Sequence, residues 1–506
     1  MRCSGFVALS LALASRASGH LEVLRYAQDD GGWATTILPL SRRAILYLLL
    51  AVAASARLLL AVAAMPPYAG LDERYHVARL AFAAHEHRQV NSRELSFPRY
   101  LSNVAPFGTP VVARPNSDMQ YVTPNYEAQQ PSLYYALAAP LRASTDIGEL
   151  RAWRLFSALC GLIVVLATAT MLERWLGSRG ILAAALIVSF PTWITLVVRA
   201  GNDALACALL AVALAITASN PKRGWLEALA WAGAVAVKLY TWPVAAVVPL
   251  FWWKQKAPRA RIAVVIVAAM LSAGLTVIDL SHRTSNPLGH FGFDKPAAST
   301  AAPQPIAYGE MVKVAIASGI WTSGTHNDAL TAKGMLLYAL PLLLMALLST
   351  LRLPDYRLLQ YVGLAFVVFA IAQLVDAAAF IRQARAAGLA LPLGGKEGWY
   401  WYALAPLAIV LFASLPRLAA VWIVFWDVII TEGALFHDYA GRSSVLHPSA
   451  LFRWGPWQPP FSADLSAVAV GPLASQLTAL RAMHIAALLA LFVMESLFAK
   501  GAQQNE

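Results

Sequence analysis

Long apolar runs separated by polar connections make up most of this chain from residue 44 onward. As a helix rising about 1.5 Å per residue, most of these runs are long enough to cross about 30 Å of hydrocarbon. The fifth and sixth are short, and one bent hairpin would account for both. We predict an all-α polytopic membrane protein of about twelve spans, near residues 44–64, 154–172, 180–199, 202–218, 224–237, 240–253, 262–280, 333–350, 358–380, 400–416, 418–436 and 479–498.

The polar connections fall into two alternating classes. One class is short and basic, and under the positive-inside rule it lies in the cytoplasm with both chain termini. The other class is long, at about residues 65–153, 281–332, 381–399 and 437–478. Long loops are usually functional, so we predict that the chemistry takes place on the outer side. The basic residues of the cytoplasmic class are Arg42, Arg43, Arg174, Arg179, Lys222, Arg223, Lys254, Lys256, Arg259, Arg261, Arg352, Arg357, Arg417 and Lys500.

The composition agrees with a membrane protein, because 59% of the 506 residues are hydrophobic and only 13% are charged. The net charge of +12 comes from scattered Lys and Arg residues that act as topology signals, so no nucleic-acid partner is expected. Cys3, Cys160 and Cys207 lie far apart and form neither a disulfide framework nor a metal cluster. Residues 1–40 weakly resemble a secretory signal at their start, but cleavage would place Arg42 and Arg43 outside; we interpret them as a tail that is not native or not needed.

The acidic pair Asp72-Glu73 follows the first span directly and is the main catalytic candidate. A carboxylate here can act as a general base toward an acceptor hydroxyl. The alternative is that Asp72 caps a helix and Glu73 is solvated. Apolar residues at helical spacing across 75–82 predict a helix along the membrane surface, on which His76 would orient Asp72, contact a phosphate, or only fill space.

A second group of candidates, Glu127, Gln130, Tyr134 and Tyr135, lies where the outer loop returns to the membrane. Its carboxylate, amide and phenols could bind sugar hydroxyls or a metal ion. Alternatively, Pro131 only opens a helix and the tyrosines belong to the aromatic belt of the membrane interface.

Two candidates lie at predicted outer ends of later spans. Asp203 belongs to an Asn-Asp-Ala-Leu sequence that recurs at 327–330, and both copies suit helix capping as well as substrate binding. Lys238 opposes the positive-inside trend, so it needs a partner such as a lipid phosphate, unless it snorkels to the headgroups. Lys396 and Tyr400 add charge and aromatic surface for sugar stacking at the tenth span, although aromatic residues gather at any membrane interface.

Together, the acidic pair after the first span, the Glu-x-x-Gln-Pro-x-Leu-Tyr-Tyr return and Asn-Asp at a later helix start resemble the GT-C superfamily of polytopic glycosyltransferases. The motifs cover roughly residues 44–260 and are similar to those of bacterial protein O-mannosyltransferases and lipid A aminoarabinose transferases. Ser132 replaces the second proline of the family pattern, and no histidine precedes Pro131.

The resemblance implies a GT-C-like bundle with a long first periplasmic loop that carries surface helices. It also implies transfer of a sugar, with inversion, from a polyprenyl-phosphate donor to a periplasmic acceptor at the bacterial inner membrane. Asp72 matches the family's presumed base, with Glu73 beside it. Arg74, His76 or Lys238 would hold the departing phosphate, and a divalent cation is left open.

We divide the chain into three parts: a tail at 1–40, a GT-C-like catalytic region at 41–436 that includes the outer loop 65–153, and a final loop and span at 437–506. Two other classes of function are open. A secondary transporter would show repeated halves and ionisable residues at mid-membrane, and among the acidic groups only Asp376 and Asp427, in late spans, suit that description. A non-catalytic membrane scaffold would have no use for Asp72.

Overall fold

The structure is a computed structural model that describes residues 41–64, 73–89, 126–189, 191–219, 224–238, 248–284, 416–425, 427 and 472–503. These residues are helical, without strands. The helices, numbered in chain order, are α1 Arg42–Ala64, α2 Glu73–His85, α3 Leu133–Ala138, α4 Asp146–Leu176, α5 Ser178–Val188, α6 Pro191–Val198, α7 Asn202–Ala218, α8 Gly224–Val237, α9 Val248–Lys254, α10 Arg259–Ser281, α11 Pro416–Phe425 and α12 Pro472–Gln503, with a 3₁₀ turn at Tyr126–Gln129 before α3.

Four of these helices, α1, α4, α10 and α12, are long and apolar enough to cross a membrane, and α5, α7 and α8 are shorter apolar helices. The prediction of an all-α membrane protein is confirmed. Predicted spans 333–350 and 358–380 lie outside the described residues, as does 400–416 apart from its last residue. Of 240–253 and 418–436 only parts are described, so the count of about twelve stays a prediction.

The predicted span 180–199 is wrong as a single helix. The structure has α5 and α6 instead, separated between Val188 and Pro191. Proline has no backbone N–H and clashes with the preceding turn, so a helix ends before it and a new one starts from it. After α6 the chain continues with Arg199, three residues before the start of α7.

Glycines allow the sharp reversal between α4 and α5. Gly177 ends α4 with φ +59°, a left-handed conformation that glycine adopts without steric cost. A Cβ on Gly180 would lie 2.3 Å from the backbone of Leu172, so only glycine fits at this close approach. At the other end of α4, the side chain of Thr145 accepts a hydrogen bond from the Gly148 N–H at 3.2 Å and caps the helix.

The core is one continuous cluster of buried apolar side chains. Helix α12 packs along α1, α4 packs against α7, and α8 packs against α10. A buried carboxylate, Glu227 on α8, links four helices at one end of this core. It accepts hydrogen bonds from Arg261 Nε at 2.6 Å, Thr217 Oγ1 at 2.8 Å and Trp252 Nε1 at 2.9 Å. Cys160 and Cys207 are both buried in this core.

Candidate functional site

Helix α2 is more deeply buried than the amphipathic surface helix that the sequence predicts. Every residue from 76 to 81 is buried, including His76 and Arg79. A helix lying at a membrane surface would leave its polar face in water or among headgroups. Here that face points into protein, where its charged side chains need partners.

Glu73, the first residue of α2, is fully buried and not solvated, so the solvated alternative is wrong. Arg154 of α4 donates to both carboxylate oxygens, from Nε at 2.8 Å and from Nη2 at 2.6 Å. The Ala200 N–H adds a third hydrogen bond at 3.0 Å. Glu73 therefore fixes the start of α2 to α4 and to the segment before α7. Asp72 is covalently adjacent to it but lies outside the described residues.

His76 lies between the hydroxyl of Tyr135 and the carboxylate of Glu127. Its Nδ1 is 2.7 Å from Tyr135 Oη and 3.5 Å from Glu127 Oε2. The ring is also packed against Gly201, where a Cβ would come within 3.2 Å of His76 Cδ2. A larger residue at 201 would push the imidazole out of this position.

The pKa of His76 is lowered well below its ordinary value, first by burial and then by the positive charge of Arg199 and other nearby cations. The Asp203 carboxylate favours the imidazolium, but burial and the cations outweigh it. Burial also raises the pKa of Tyr135 well above the ordinary value, so its phenol keeps its proton. A neutral His76 can accept a hydrogen bond from this phenol at Nδ1 and keep an N–H donor at Nε2.

Asp203 does not cap α7. The N-cap residue is Gly201, without a side-chain capping bond, and Asp203 is turned toward two cations instead. It pairs with Arg199 Nη2 at 2.7 Å and forms a second, short ion pair with Lys238 Nζ. Lys238 is 5% exposed, so it does not snorkel to the headgroups, and Asp203 is the partner that the sequence argument required.

Two arginines hold the 3₁₀ turn that carries Glu127. Arg79 donates from Nη1 to the carbonyl oxygens of Glu127 at 2.6 Å and Gln130 at 2.7 Å. Arg283, just past α10, donates to the Ala128 carbonyl at 2.6 Å and to the Gln130 carbonyl at 3.2 Å. The Gln130 side chain in turn accepts from Asn202 Nδ2 at 3.0 Å.

Arg79 also stacks on the aromatic face of Tyr135, with Cζ 3.7 Å from the ring centroid. Burial lowers the pKa of Arg79 to about 10, so it stays charged at neutral pH. Tyr134, beside Tyr135, contacts Ser157 Oγ of α4 at 3.0 Å through its hydroxyl. The two tyrosines are therefore part of a buried hydrogen-bonded cluster and do not lie at the membrane interface.

We call this set of buried side chains the polar cluster. It brings together predicted residues from four distant parts of the sequence, namely Glu73, His76, Glu127, Gln130, Tyr134, Tyr135, Asp203 and Lys238. The remaining predicted site residues stay predictions. Asp72, Lys396 and Tyr400 lie outside the described residues, and only the backbone of Arg74, within α2, is described.

The sequence analysis missed the arginines of the cluster, Arg79, Arg154, Arg199 and Arg283. Arg154 and Arg199 coincide with predicted span ends, where a cation is usually a topology signal. Arg79 offered the clearer signal, because it interrupts the apolar run of Val77, Ala78, Leu80 and Ala81. A cation inside an apolar run requires a buried partner.

The divalent cation left open by the sequence finds no ready site in the described part of the chain. No group of three or more His, Cys, Asp or Glu side chains there is placed to hold a metal ion. In the polar cluster, the carboxylates of Glu73 and Asp203 are instead engaged by Arg and Lys. Asp72 lies outside that part of the chain.

Comparison with known proteins gives one structural similarity. No protein-family model and no curated protein matches the chain. Among solved structures, the crystal structure of ArnT from Cupriavidus metallidurans bound to undecaprenyl phosphate is similar, with 14% identity and a TM-score of 0.47, covering 88% of this chain and 76% of that chain.

Proposed function

We propose that this chain is a membrane glycosyltransferase that moves a sugar from a polyprenyl-phosphate donor to a lipid, glycan or protein acceptor on the periplasmic side of a bacterial inner membrane. The observation that carries the proposal is the convergence of the sequence-selected residues in one buried polar cluster. Those residues come from α2, from the 3₁₀ turn and α3, from the start of α7 and from the end of α8. A set of unrelated caps and interface residues would have no reason to meet.

The charge of the polar cluster suits a phosphate. Among the described residues, its carboxylates, with Asp279 beside Arg283, number four: Glu73, Glu127, Asp203 and Asp279. The cations among those residues number five: Arg79, Arg154, Arg199, Lys238 and Arg283. A neutral His76 adds a further hydrogen-bond donor without adding charge. Fixed cations in a dry environment stabilise the negative charge that grows on a departing phosphate.

The reaction needs one proton acceptor. The acceptor hydroxyl oxygen attacks the anomeric carbon, the bond from that carbon to the phosphate oxygen breaks, and the polyprenyl phosphate leaves with the bonding electrons. The hydroxyl proton passes to a carboxylate, for which we propose Asp72. Glu73 already accepts three hydrogen bonds, so we assign it the role of holding the start of α2, and with it Asp72, in place.

The test is sugar transfer from radiolabelled polyprenyl-phosphate sugars in membranes that contain the wild-type chain or a variant. Asp72→Asn keeps the side-chain shape and removes the base, so we expect product formation to fall by about 10²-fold or more at equal protein abundance. Glu86→Gln, just past α2, is the matched control because it removes a partly exposed carboxylate paired only at the surface. Equal labelling by wild type and Asp72→Asn would remove Asp72 from the mechanism.

A transporter is the alternative class, and one observation favours it: Asp427 is fully buried at a predicted mid-membrane position. The same assay separates the two functions. A glycosyltransferase labels an acceptor from at least one donor of a broad panel, whereas a transporter labels none and instead moves solute into sealed vesicles.

A further inference from the structure

A second buried ionic group lies inside the predicted spans, apart from the polar cluster. Arg57 of α1 donates from Nη2 to Asp427 Oδ2 at 2.7 Å, and His484 of α12 contacts the same oxygen with Nε2 at 2.5 Å. All three side chains are at most 1% exposed. Ionisable groups inside membrane spans are costly, so a cluster of three needs a reason.

The hydrogen bonds of His484 determine how many protons this group holds. The other ring nitrogen, Nδ1, lies 2.7 Å from the backbone carbonyl oxygen of Ala53, which can only accept. Nδ1 must therefore carry a proton. At 2.5 Å, Nε2 and Asp427 Oδ2 also need a proton between them, because an ionised carboxylate can only accept.

Two proton arrangements satisfy both contacts. In one, His484 is an imidazolium ion and Asp427 is ionised; in the other, His484 is neutral and Asp427 is protonated. Either way, with Arg57 charged, the group carries one positive charge and one proton more than an ionised aspartate beside a neutral histidine. If that proton leaves, a lone pair of the imidazole faces an oxygen lone pair at one of the two contacts, whichever nitrogen keeps its hydrogen.

We propose that Arg57, Asp427 and His484 form a buried proton-binding site, and that the bound proton stabilises the packing of the last span against the first. The three residues come from α1, from the segment just past α11, and from α12. Ala53 and Arg57 lie one turn apart on α1, so His484 and Asp427 contact consecutive turns of the same helix. Loss of the proton therefore places two lone pairs in contact and weakens the packing of α12 against α1 at this point.

Within the part of the chain that the structure describes, the other charged groups near the site lie on α12 itself or farther away along the helices. Arg481, buried one turn before His484, is the nearest on α12. On α1, Arg43 lies about 21 Å away along the helix, by the rise per residue. On α5, Ser178 bonds Glu495 of α12, which puts that end, with Arg179, about 16 Å from His484. On α11 the one titratable residue is Arg417, ten residues before Asp427, and only its backbone is described.

Thermal unfolding of the full chain in detergent between pH 5.5 and 9 tests the site. An unfolded histidine loses its proton near pH 6.5, whereas in the folded site the two contacts of His484 require the proton to stay. The folded state then binds more protons than the unfolded state, so the stabilisation is complete below about pH 6.5 and is lost as the pH rises. We expect this contribution to the unfolding equilibrium constant to fall about tenfold per pH unit above that point.

His484→Asn removes the titrating ring and keeps a side-chain amide that can donate to the Ala53 carbonyl. We expect the difference in unfolding temperature between wild type and His484→Asn to be largest at pH 5.5 and to shrink steadily above pH 6.5. His87→Asn is the matched control, because His87 is exposed and its φ of +53° suits asparagine. Its difference from wild type should not shrink in this way.

Asp427→Asn makes the test a second time, and serves alone if His484→Asn does not fold. An asparagine has one accepting oxygen and one donating nitrogen, so after a rotation of its amide it can accept from Arg57 and donate to a neutral His484 without the extra proton. This variant should also lose the fall in stability above pH 6.5. A constant difference from wild type across the pH range, in whichever of the two variants folds, would overturn the proposal.

Discussion

His76 and His484 are both buried histidines, yet their surroundings require different numbers of protons. The ring of His76 meets a phenol that can donate, and cations surround it, so the neutral form is favoured. The ring of His484 has an oxygen at each nitrogen, so the pair of His484 and Asp427 requires two protons, one at each contact. Burial alone therefore does not decide how many protons a histidine and its partner hold; the donors and acceptors at its two nitrogens do.

The two regions also differ in how their carboxylates are satisfied. In the polar cluster Glu73 accepts three hydrogen bonds from an arginine fork and a backbone N–H. In the buried group of Arg57, Asp427 and His484, which we call the membrane group, one oxygen of Asp427 takes the close contacts with both of the other residues. The first arrangement needs no proton to be stable, and the second does.

The largest effect on this comparison should come from Glu73→Gln. Removing the charge leaves Arg154 buried beside a neutral amide, and breaking a buried ion pair costs about 3–5 kcal/mol. The unfolding free energy, or the loss of folded protein at a fixed temperature, measures this. Glu86→Gln should have little effect because its pair with Arg88 is partly exposed. A loss no larger than that of the control would mean that the Glu73 pair does not hold α2 in place.

Arg79→Lys should come next. Lysine keeps the positive charge but lacks the planar fork that serves the Glu127 and Gln130 carbonyls and stacks on Tyr135. We expect a loss of about 2–3 kcal/mol, the range for hydrogen bonds to charged groups. In the transfer assay, KM for the donor should rise more than kcat falls, since the turn with Glu127 is displaced. An unchanged KM would separate this turn from substrate binding.

A smaller effect concerns pH and has the opposite sign to that expected for His484. Because the pKa of folded His76 is lowered, the unfolded state binds more protons below pH 6.5, and stability falls as the pH falls. The contribution is at most about 1.4 kcal/mol per pH unit below that value. His76→Asn should flatten the acid side of the unfolding-temperature profile. A steeper acid side would show that His76 is protonated in the fold.

Tyr135→Phe should have the smallest effect of the series. It removes the hydroxyl that contacts His76 Nδ1 at 2.7 Å and keeps the aromatic face under Arg79. The expected loss is about 1 kcal/mol, as for one neutral hydrogen bond. Tyr134→Phe, which loses a similar contact with Ser157, is the matched control for stability. Only Tyr135→Phe should shift the pH profile of His76, and equal shifts in both variants would contradict the pairing.

Much of the fold could be predicted from the sequence, because span length and apolar composition are local properties. The residues of the polar cluster could also be selected, since polar groups beside apolar runs stand out. Their partners could not be predicted. Glu73 and Arg154 are 81 positions apart, and no periodicity links them. The interpretation of Lys238 failed in the same way: its need for a partner was evident, but the choice of Asp203 over a lipid phosphate depends on tertiary packing.

The membrane group was only half visible in the sequence. Asp427 stood out as an acidic residue within an apolar run, but Arg57 and His484 lie 370 and 57 positions away from it. Neither was selected, although each also interrupts an apolar run. A search for every ionisable residue within a predicted span, with oppositely charged ones considered as pairs, would have found all three.

Arg283 couples the polar cluster to the thickness of the bilayer. Helix α10 has 23 residues, about 34 Å, and so exceeds an average hydrocarbon thickness of about 30 Å. A thinner membrane makes a long span tilt. Because Arg283, two residues past α10, holds the turn that carries Glu127, tilting this helix pulls on that turn. We expect transfer rates to depend on acyl-chain length in reconstituted vesicles, and Arg283→Met to weaken that dependence.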